Sequence, residues 1–245
     1  MKVHCITTGV ARPKRAQRGL RRYLVDEWSD ESLPVHAFLL EHSDGLCLFD
    51  AGQTADATLP GHLPRWHPFL RLSRFELTAE DEVAPQMRRL GFAPGDVRWV
   101  VLSHMHTDHV GGIRPFTEAT IVVTRREWKR ATGLGGRLRG YLPQHWPAEL
   151  DPHLIDFDGA PFGPFAASHD LSGDGSLLLV PTPGHTPGHM ALLARDRDRA
   201  FMCCGDLVHE AAELAAVAPE IDRFCRESGF LPLATHDRGV SAALV

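Results

Sequence analysis

Apolar residues recur with a period of two in several short stretches of this chain, and each stretch ends at a turn signal. Residues 34–42 alternate at Val35, Ala37 and Leu39, residues 46–49 continue as an apolar run, and Gly45 and Gly52 bracket that run. The pattern predicts a hairpin that ends at Asp50. Further strands are predicted over 99–102, 120–124, 176–181, 190–194, 200–204 and 231–235. Helical spacing is rarer. Val83, Met87 and Leu90 predict a helix over 78–90, stopped by Gly91 and kinked at Pro85. Ile221, Phe224 and Cys225 predict another helix before the last strand, and the weakly periodic segment 133–174, rich in Gly, Pro and Asp, reads as loops and a lid. Strands interleaved with helices over 245 residues, with no internal repeat or low-complexity linker, predict one α/β domain spanning 1–245.

Composition narrows the class. With 43% hydrophobic and 23% charged residues the chain is ordinary globular protein rather than a disordered segment. Its net charge of -5 gives no overall attraction to phosphate backbones, so nucleic acid is not expected as a partner. The basic cluster Arg12, Lys14, Arg15, Arg18, Arg21 and Arg22 reads as a solvated arm or a subunit contact, as in a homodimer, with ligand steering as the alternative. Five unevenly spaced cysteines without a CxxC pair read as reduced thiols. No segment approaches the roughly 18 apolar residues needed to span a bilayer, and the N-terminus lacks a signal-peptide core, so no membrane partner and a cytoplasmic location are expected.

The chemistry concentrates in LSHMHTDHVGG, residues 102–112, which places three histidines and an aspartate within six positions directly after an apolar strand. Histidine and carboxylate suit a borderline divalent cation such as zinc. His104 and His106, two apart, can share one ion, while Asp108 and His109, beyond the turn, point towards a second. Gly111 and Gly112 let the backbone pass close to a crowded site. One turn cannot complete two coordination shells. Three other strand ends carry further donors: PTPGHTPGH with His185, CCGD with Asp206, and ATHD with His236. An isolated histidine is usually packed or solvated, and His4, His36, His42, His62, His67, His145, His153 and His169 read that way.

FDAG at 49–52, HMHTDH, PGHTPGH, GD and the terminal THD together resemble the metallo-β-lactamase superfamily of hydrolases over nearly the whole chain. The resemblance implies an αββα sandwich of two mixed sheets flanked by helices, with a dinuclear metal site at the sheet edges. It implies His104, His106 and His185 on one metal, Asp108, His109 and His236 on the other, and Asp206 bridging both. Asp50 and His189 then match residues just behind the ligands. Two divalent ions are expected, zinc first, with manganese, iron(II) or cobalt(II) also compatible.

Several branches of the superfamily can be weighed. The bridging Asp206 argues against a true β-lactamase, His106 against a diiron flavoprotein, and the nine residues after His236 against a glyoxalase-type thioesterase. LPVHAFLLEH, the RREW segment at 125–128 and the THD ending are similar to the N-acyl homoserine lactonase-like group, which implies hydrolysis of a small lactone. His209 stands where those lactonases often carry a tyrosine, three residues after the bridging aspartate, and reads either as substrate-facing or as structural. Asp108 is implied as the catalytic proton carrier. Trp66, Phe69, Phe75 and Trp128 read as core or as an apolar wall for the substrate. A thioesterase, an organophosphate or phosphodiester hydrolase of the same fold, and a non-catalytic metal-binding scaffold are the alternatives.

Overall fold

The computed structural model describes residues 1–14, 27–59, 62 and 73–244, and the side chains of 241 and 242 are not among those described. The predicted hairpin sits in a seven-stranded sheet. Its strands are β1 (Lys2–Pro13), β2 (Leu33–His42), β3 (Gly45–Phe49), β4 (Ser73–Glu76), β5 (Val97–Val101), β6 (Thr120–Thr124) and β7 (His153–Ile155), in the order β4-β1-β2-β3-β5-β6-β7. The pairs among β4, β1, β2 and β3 are antiparallel, while β3, β5, β6 and β7 run parallel. A second, five-stranded sheet holds β8 (His169–Asp170), β9 (Leu177–Pro181), β10 (Met190–Arg195), β11 (Ala200–Gly205) and β12 (Phe230–Ala234), ordered β12-β11-β10-β9-β8. It too is mixed, since only β11 and β12 pair in parallel.

Strand period explains how the layers stack. Leu39, Leu48 and Val100 point to the outer face of the first sheet, where α1 (Val83–Arg89), α2 (Thr107–Val110) and α3 (Arg125–Thr132) contribute Val83, Met87, Val110 and Ala131. Their strand neighbours Phe38, Leu40, Cys47, Phe49, Trp99 and Val101 face the other way and meet Leu179, Met190, Leu192, Cys203 and Leu233 of the second sheet. Val180, Ala191, Leu193, Met202 and Cys204 cover the far side of that sheet, against Leu214 of α4 (Leu214–Val217) and Cys225 of α5 (Pro219–Ser228). The result is the expected αββα sandwich, with three apolar layers between four structural ones. β2 is buried on both faces from Val35 to Leu40, so its alternation reports only one of its two apolar sides.

Two sequence expectations change. The helix predicted over 78–90 is split: a short 3-10 turn at Ala79–Asp81 is followed by an extended Glu82 at ψ 156°, and α1 begins only at Val83. Asp81 accepts from both the backbone N–H and the hydroxyl of Thr78, which closes the first turn. Pro85 therefore lies in the first turn of α1, where its missing N–H costs no hydrogen bond, and not at a mid-helix kink. The segment 133–174 is also more ordered than its composition suggests. It contains β7 and β8, and it buries Tyr141, Leu142 and Trp146. Trp128 packs against the outer core cluster, while Trp66 and Phe69 lie outside the described residues, as do Arg15, Arg18, Arg21 and Arg22. Arg12 pairs with Glu76 at 2.8 Å and Lys14 is buried against the Trp28 ring. All five cysteines are free thiols. Among the described residues no helix is long and apolar enough to cross a membrane.

Candidate metal centre

Five strand ends converge at one edge of the sandwich. Asp50 follows β3, the His104–His109 segment follows β5, His185 follows β9, Asp206 follows β11 and His236 follows β12. β9, β11 and β12 run in the same direction, because β10 is antiparallel to both β9 and β11. Their C-terminal ends therefore share an edge. A backbone bond from Met190 N–H to Ser103 O, 3.0 Å, ties the two sheets directly beside the site. Gly111 and Gly112 do bring the chain into close contact: a Cβ on Gly112 would lie 2.3 Å from the Ala51 carbonyl oxygen. Any larger residue would push the histidine turn off the Asp50 loop.

All seven predicted ligands lie together. His104 Nε2 is 3.0 Å from His106 Nδ1, which is 2.9 Å from His185 Nε2. Asp108, His109 and His236 form a second group, with His236 Nε2 3.8 Å from Asp108 Oδ2 and His109 Nε2 3.9 Å from Asp108 Oδ1. Asp206 stands between them. Its Oδ1 lies 3.2 Å from His109 Nε2 and 3.4 Å from His236 Nε2, while Oδ2 lies 3.4 Å from His185 Nε2. Four ligand atoms at about 2.05 Å from a tetrahedral zinc would be about 3.3 Å apart, and the distances here, from 2.9 Å to 3.9 Å, bracket that value.

The protons are already committed elsewhere. His109 donates from Nδ1 to Asp50 Oδ2 at 2.8 Å, His236 from Nδ1 to the Pro34 carbonyl at 2.7 Å, and His104 Nδ1 lies 3.0 Å from Ser103 Oγ. Each of these rings therefore turns an Nε2 lone pair towards the cluster. Lone pairs 3 Å apart repel unless a cation sits among them. His109 Nε2 and Asp206 Oδ1 are buried polar atoms without a hydrogen-bond partner, a costly arrangement in protein alone that a shared cation would relieve. The donor set, nitrogen and carboxylate with no thiolate, fits a borderline or hard divalent ion.

Electrostatics point the same way. Burial, reinforced by His109 and His106, holds His104 well below the usual imidazole range, and burial with His185 pushes His106 down to about 4, so both are neutral donors. Burial opposes charge on His109 too, but Asp206, Asp50 and Asp108 outweigh it and hold that ring well above its ordinary value. His236 is raised by Asp206 despite its burial. Burial likewise works against charge on Asp206, yet His109 and His236 hold its carboxyl well below the usual range. Three carboxylates at one edge thus call for positive charge, which a divalent ion would supply with His109 and His236 neutral.

A supporting layer surrounds the cluster. Asp50 accepts from Ser103 N–H and Oγ–H, both at 2.8 Å, as well as from His109. It is the non-glycine residue with positive φ, 58°, among the described residues, so its backbone is held in a left-handed conformation to aim that carboxylate. His189, expected just behind the ligands, sits there: Nδ1 is 2.8 Å from Thr182 Oγ1, and Nε2 accepts the Asp206 N–H at 3.0 Å. Burial pushes His189 down to about 3, which keeps that acceptor free. His145 is buried and bonded to Thr107. His209 is exposed, with its ring centroid 5.6 Å from that of His236, at the mouth of the site. Sequence reasoning passed over Glu127, a fully buried carboxylate wedged between the His104–His106 segment and the His185 loop. The one signal for it was its place three residues after Thr124, the capping position of a helix start.

Residues 31–234 match the profile of the metallo-beta-lactamase superfamily. The chain belongs to that superfamily. Among its relatives, a probable metallo-hydrolase of Mycobacterium bovis is 35% identical over 190 residues, 75% of this chain and 59% of that protein. The N-acyl homoserine lactonase AttM of Rhizobium radiobacter is 35% identical over 175 residues, 68% of this chain and 62% of that protein. The chain thus spans about three fifths of the length of these curated relatives. Among solved structures, an N-acyl homoserine lactone hydrolase with N-hexanoyl-L-homoserine bound at its catalytic metal centre aligns with a TM-score of 0.74 at 20% identity, covering 99% of this chain and 95% of that one. That likeness establishes the shared fold.

Proposed function

We propose that this chain is a dinuclear metal-dependent hydrolase that opens the ester bond of a lactone, with N-acyl homoserine lactones as the substrate class and zinc as the first candidate metal. The observation that carries the proposal is the pair of carboxylate oxygens of Asp206, one facing His109 and His236 and the other facing His185. A single group presented to two ligand clusters suits a bridge between two ions. His104, His106 and His185 would hold one, Asp108, His109 and His236 the other. Divalent cations bound there supply Lewis acidity towards a carbonyl oxygen and bring the pKa of water towards neutrality.

The residues around that centre do the rest. His185 and His106 are accessible to solvent while His104, His109 and His236 are buried, so the cluster is closed from behind and open on one side, where substrate can enter. Asp108 keeps 18% side-chain exposure at that open side, which lets its carboxylate take a proton from the attacking water and return it to the leaving ring oxygen. His209, exposed beside His236, would donate to the substrate carbonyl. A lactone fits because its carbonyl and ring oxygens are held close together and in fixed relative orientation. The lactonase AttM among the relatives supports this class over others of the fold. The test is an activity panel on the metal-loaded protein: acyl homoserine lactones of short and long chain, simple lactones, a glutathione thioester, an aryl phosphotriester and a cephalosporin. Fastest turnover of the lactones is expected. Faster hydrolysis of the phosphotriester or thioester would move the assignment to that class.

A further inference from the structure

Glu127 is a carboxylate with no solvent exposure, on the first turn of α3. Burying a carboxylate is costly unless its oxygens are fully engaged. Here every contact is with a donor. Oε1 accepts the Met105 N–H at 3.2 Å, Oε2 accepts the Thr186 hydroxyl at 2.8 Å, and the Tyr141 hydroxyl lies near enough for the carboxylate to raise its pKa. Met105 lies between His104 and His106, and Thr186 follows His185. The carboxylate therefore joins the two segments that carry all three ligands of the first candidate ion.

The backbone around it reinforces the join. Thr124 Oγ1 accepts the Glu127 N–H at 3.1 Å and donates to the Gly188 carbonyl at 2.7 Å. A Cβ on Gly188 would fall 2.3 Å from the Glu127 nitrogen, so the His185 loop is pressed directly onto the start of α3. Tyr141, beside the same carboxylate, sets its ring centroid 5.0 Å from that of His106 in a tilted contact. The second group of ligands is held by different partners: His109 by Asp50, and His236 by the Pro34 carbonyl.

The geometry points to Glu127 as the positioning residue of the His104–His106–His185 half of the centre, acting through Met105 and Thr186 and not by touching an ion. The inference rests on the metal-centre reading above and makes a one-sided prediction that the reading alone does not. Only one of the two ions depends on Glu127.

The test uses the full chain loaded with zinc. Glu127→Gln keeps the volume but turns one acceptor into a donor facing donors. Thr186→Val removes a single bond and leaves the carboxylate in place, so it remains informative if the first variant folds poorly. Zinc affinity is measured by competition with a chromophoric chelator, the emptied position is identified by anomalous scattering, and the metal-free proteins are melted by circular dichroism. Expected is a loss of roughly 10–100-fold in affinity at the His104–His106–His185 position for Glu127→Gln, a smaller loss at the same position for Thr186→Val, and a change within twofold at the other. The double variant should be no worse than Glu127→Gln alone. Retention of both ions at wild-type affinity in both variants overturns the inference, as does equal weakening of both positions with a lower melting temperature of the metal-free form, which is the behaviour of a general strut. A wild-type chain that takes up no zinc overturns the metal-centre reading itself, and this inference with it.

Discussion

Replacing Asp50 by asparagine isolates the charge of the residue behind the metal cluster. Its backbone sits at φ 58°, a conformation that asparagine tolerates well, so the substitution should not disturb the loop. The carboxylate accepts three bonds, from His109 Nδ1, Ser103 N and Ser103 Oγ, and it is fully buried. An amide offers one acceptor oxygen and one NH2, so in either orientation at least one buried donor faces another donor. If the NH2 faces His109, the ring is driven to carry its proton on Nε2, the atom that must be bare to bind an ion. An unsatisfied buried donor costs about 1–3 kcal/mol. Loss of an orienting partner behind a histidine ligand lowers metal affinity roughly 10–100-fold, or about 1.4–2.7 kcal/mol, and the two ranges agree. Competition with a chromophoric chelator measures it, and the position holding His109 should weaken more than the other. Affinity within twofold of wild type would show that Asp50 does not set the His109 proton.

Three further outcomes follow from the same geometry. Asp206→Asn should weaken the His109–His236 position more than the first and cut turnover by orders of magnitude, because an amide cannot present two equivalent anionic oxygens to His109 and His185; full metal content and full rate together would refute the bridge. His209→Ala should lower turnover while elemental analysis still finds both ions, since the ring lies beside His236 but outside the ligand groups; unchanged kcat on every lactone would assign it no part in the reaction. Gly112→Ala should destabilise the fold by about 1–3 kcal/mol, because its Cβ would meet the Ala51 carbonyl at 2.3 Å. Thermal melting, at about 2–4 °C per kcal/mol for a chain of this size, reads that directly, and an unchanged melting temperature would contradict the close approach.

The cluster of donor side chains is legible in the sequence because a candidate metal site calls for particular atoms at fixed intervals. Histidines at 104, 106 and 109 with Asp108 are improbable on a strand end for packing reasons, and the strands that precede His185, Asp206 and His236 announce themselves by apolar runs that lead into a donor. Positions set by long-range packing were harder to read. β1 mixes Thr, His, Gly and Arg, and its polar positions find partners only once β2 and β4 lie on either side. β7 and β8 are three and two residues long, too short for a period to show. The apolar spacing over 78–90 continues through a capped turn and the extended Glu82, so it predicts a longer helix than the one that begins at Val83. Glu127 carries no mark of its own, since an acidic residue at a helix start is ordinarily a solvated cap. Only the fold brings Met105, Thr186 and Tyr141 around it.

The central claim is that seven side chains on four strand-end segments hold two divalent ions with Asp206 between them. Anomalous scattering from crystals of the zinc-loaded protein, collected on both sides of the zinc absorption edge, tests it directly. The account predicts two peaks, one enclosed by His104, His106 and His185 and one by Asp108, His109 and His236, each within bonding distance of a different oxygen of Asp206. A single peak, or peaks away from these residues, would contradict it.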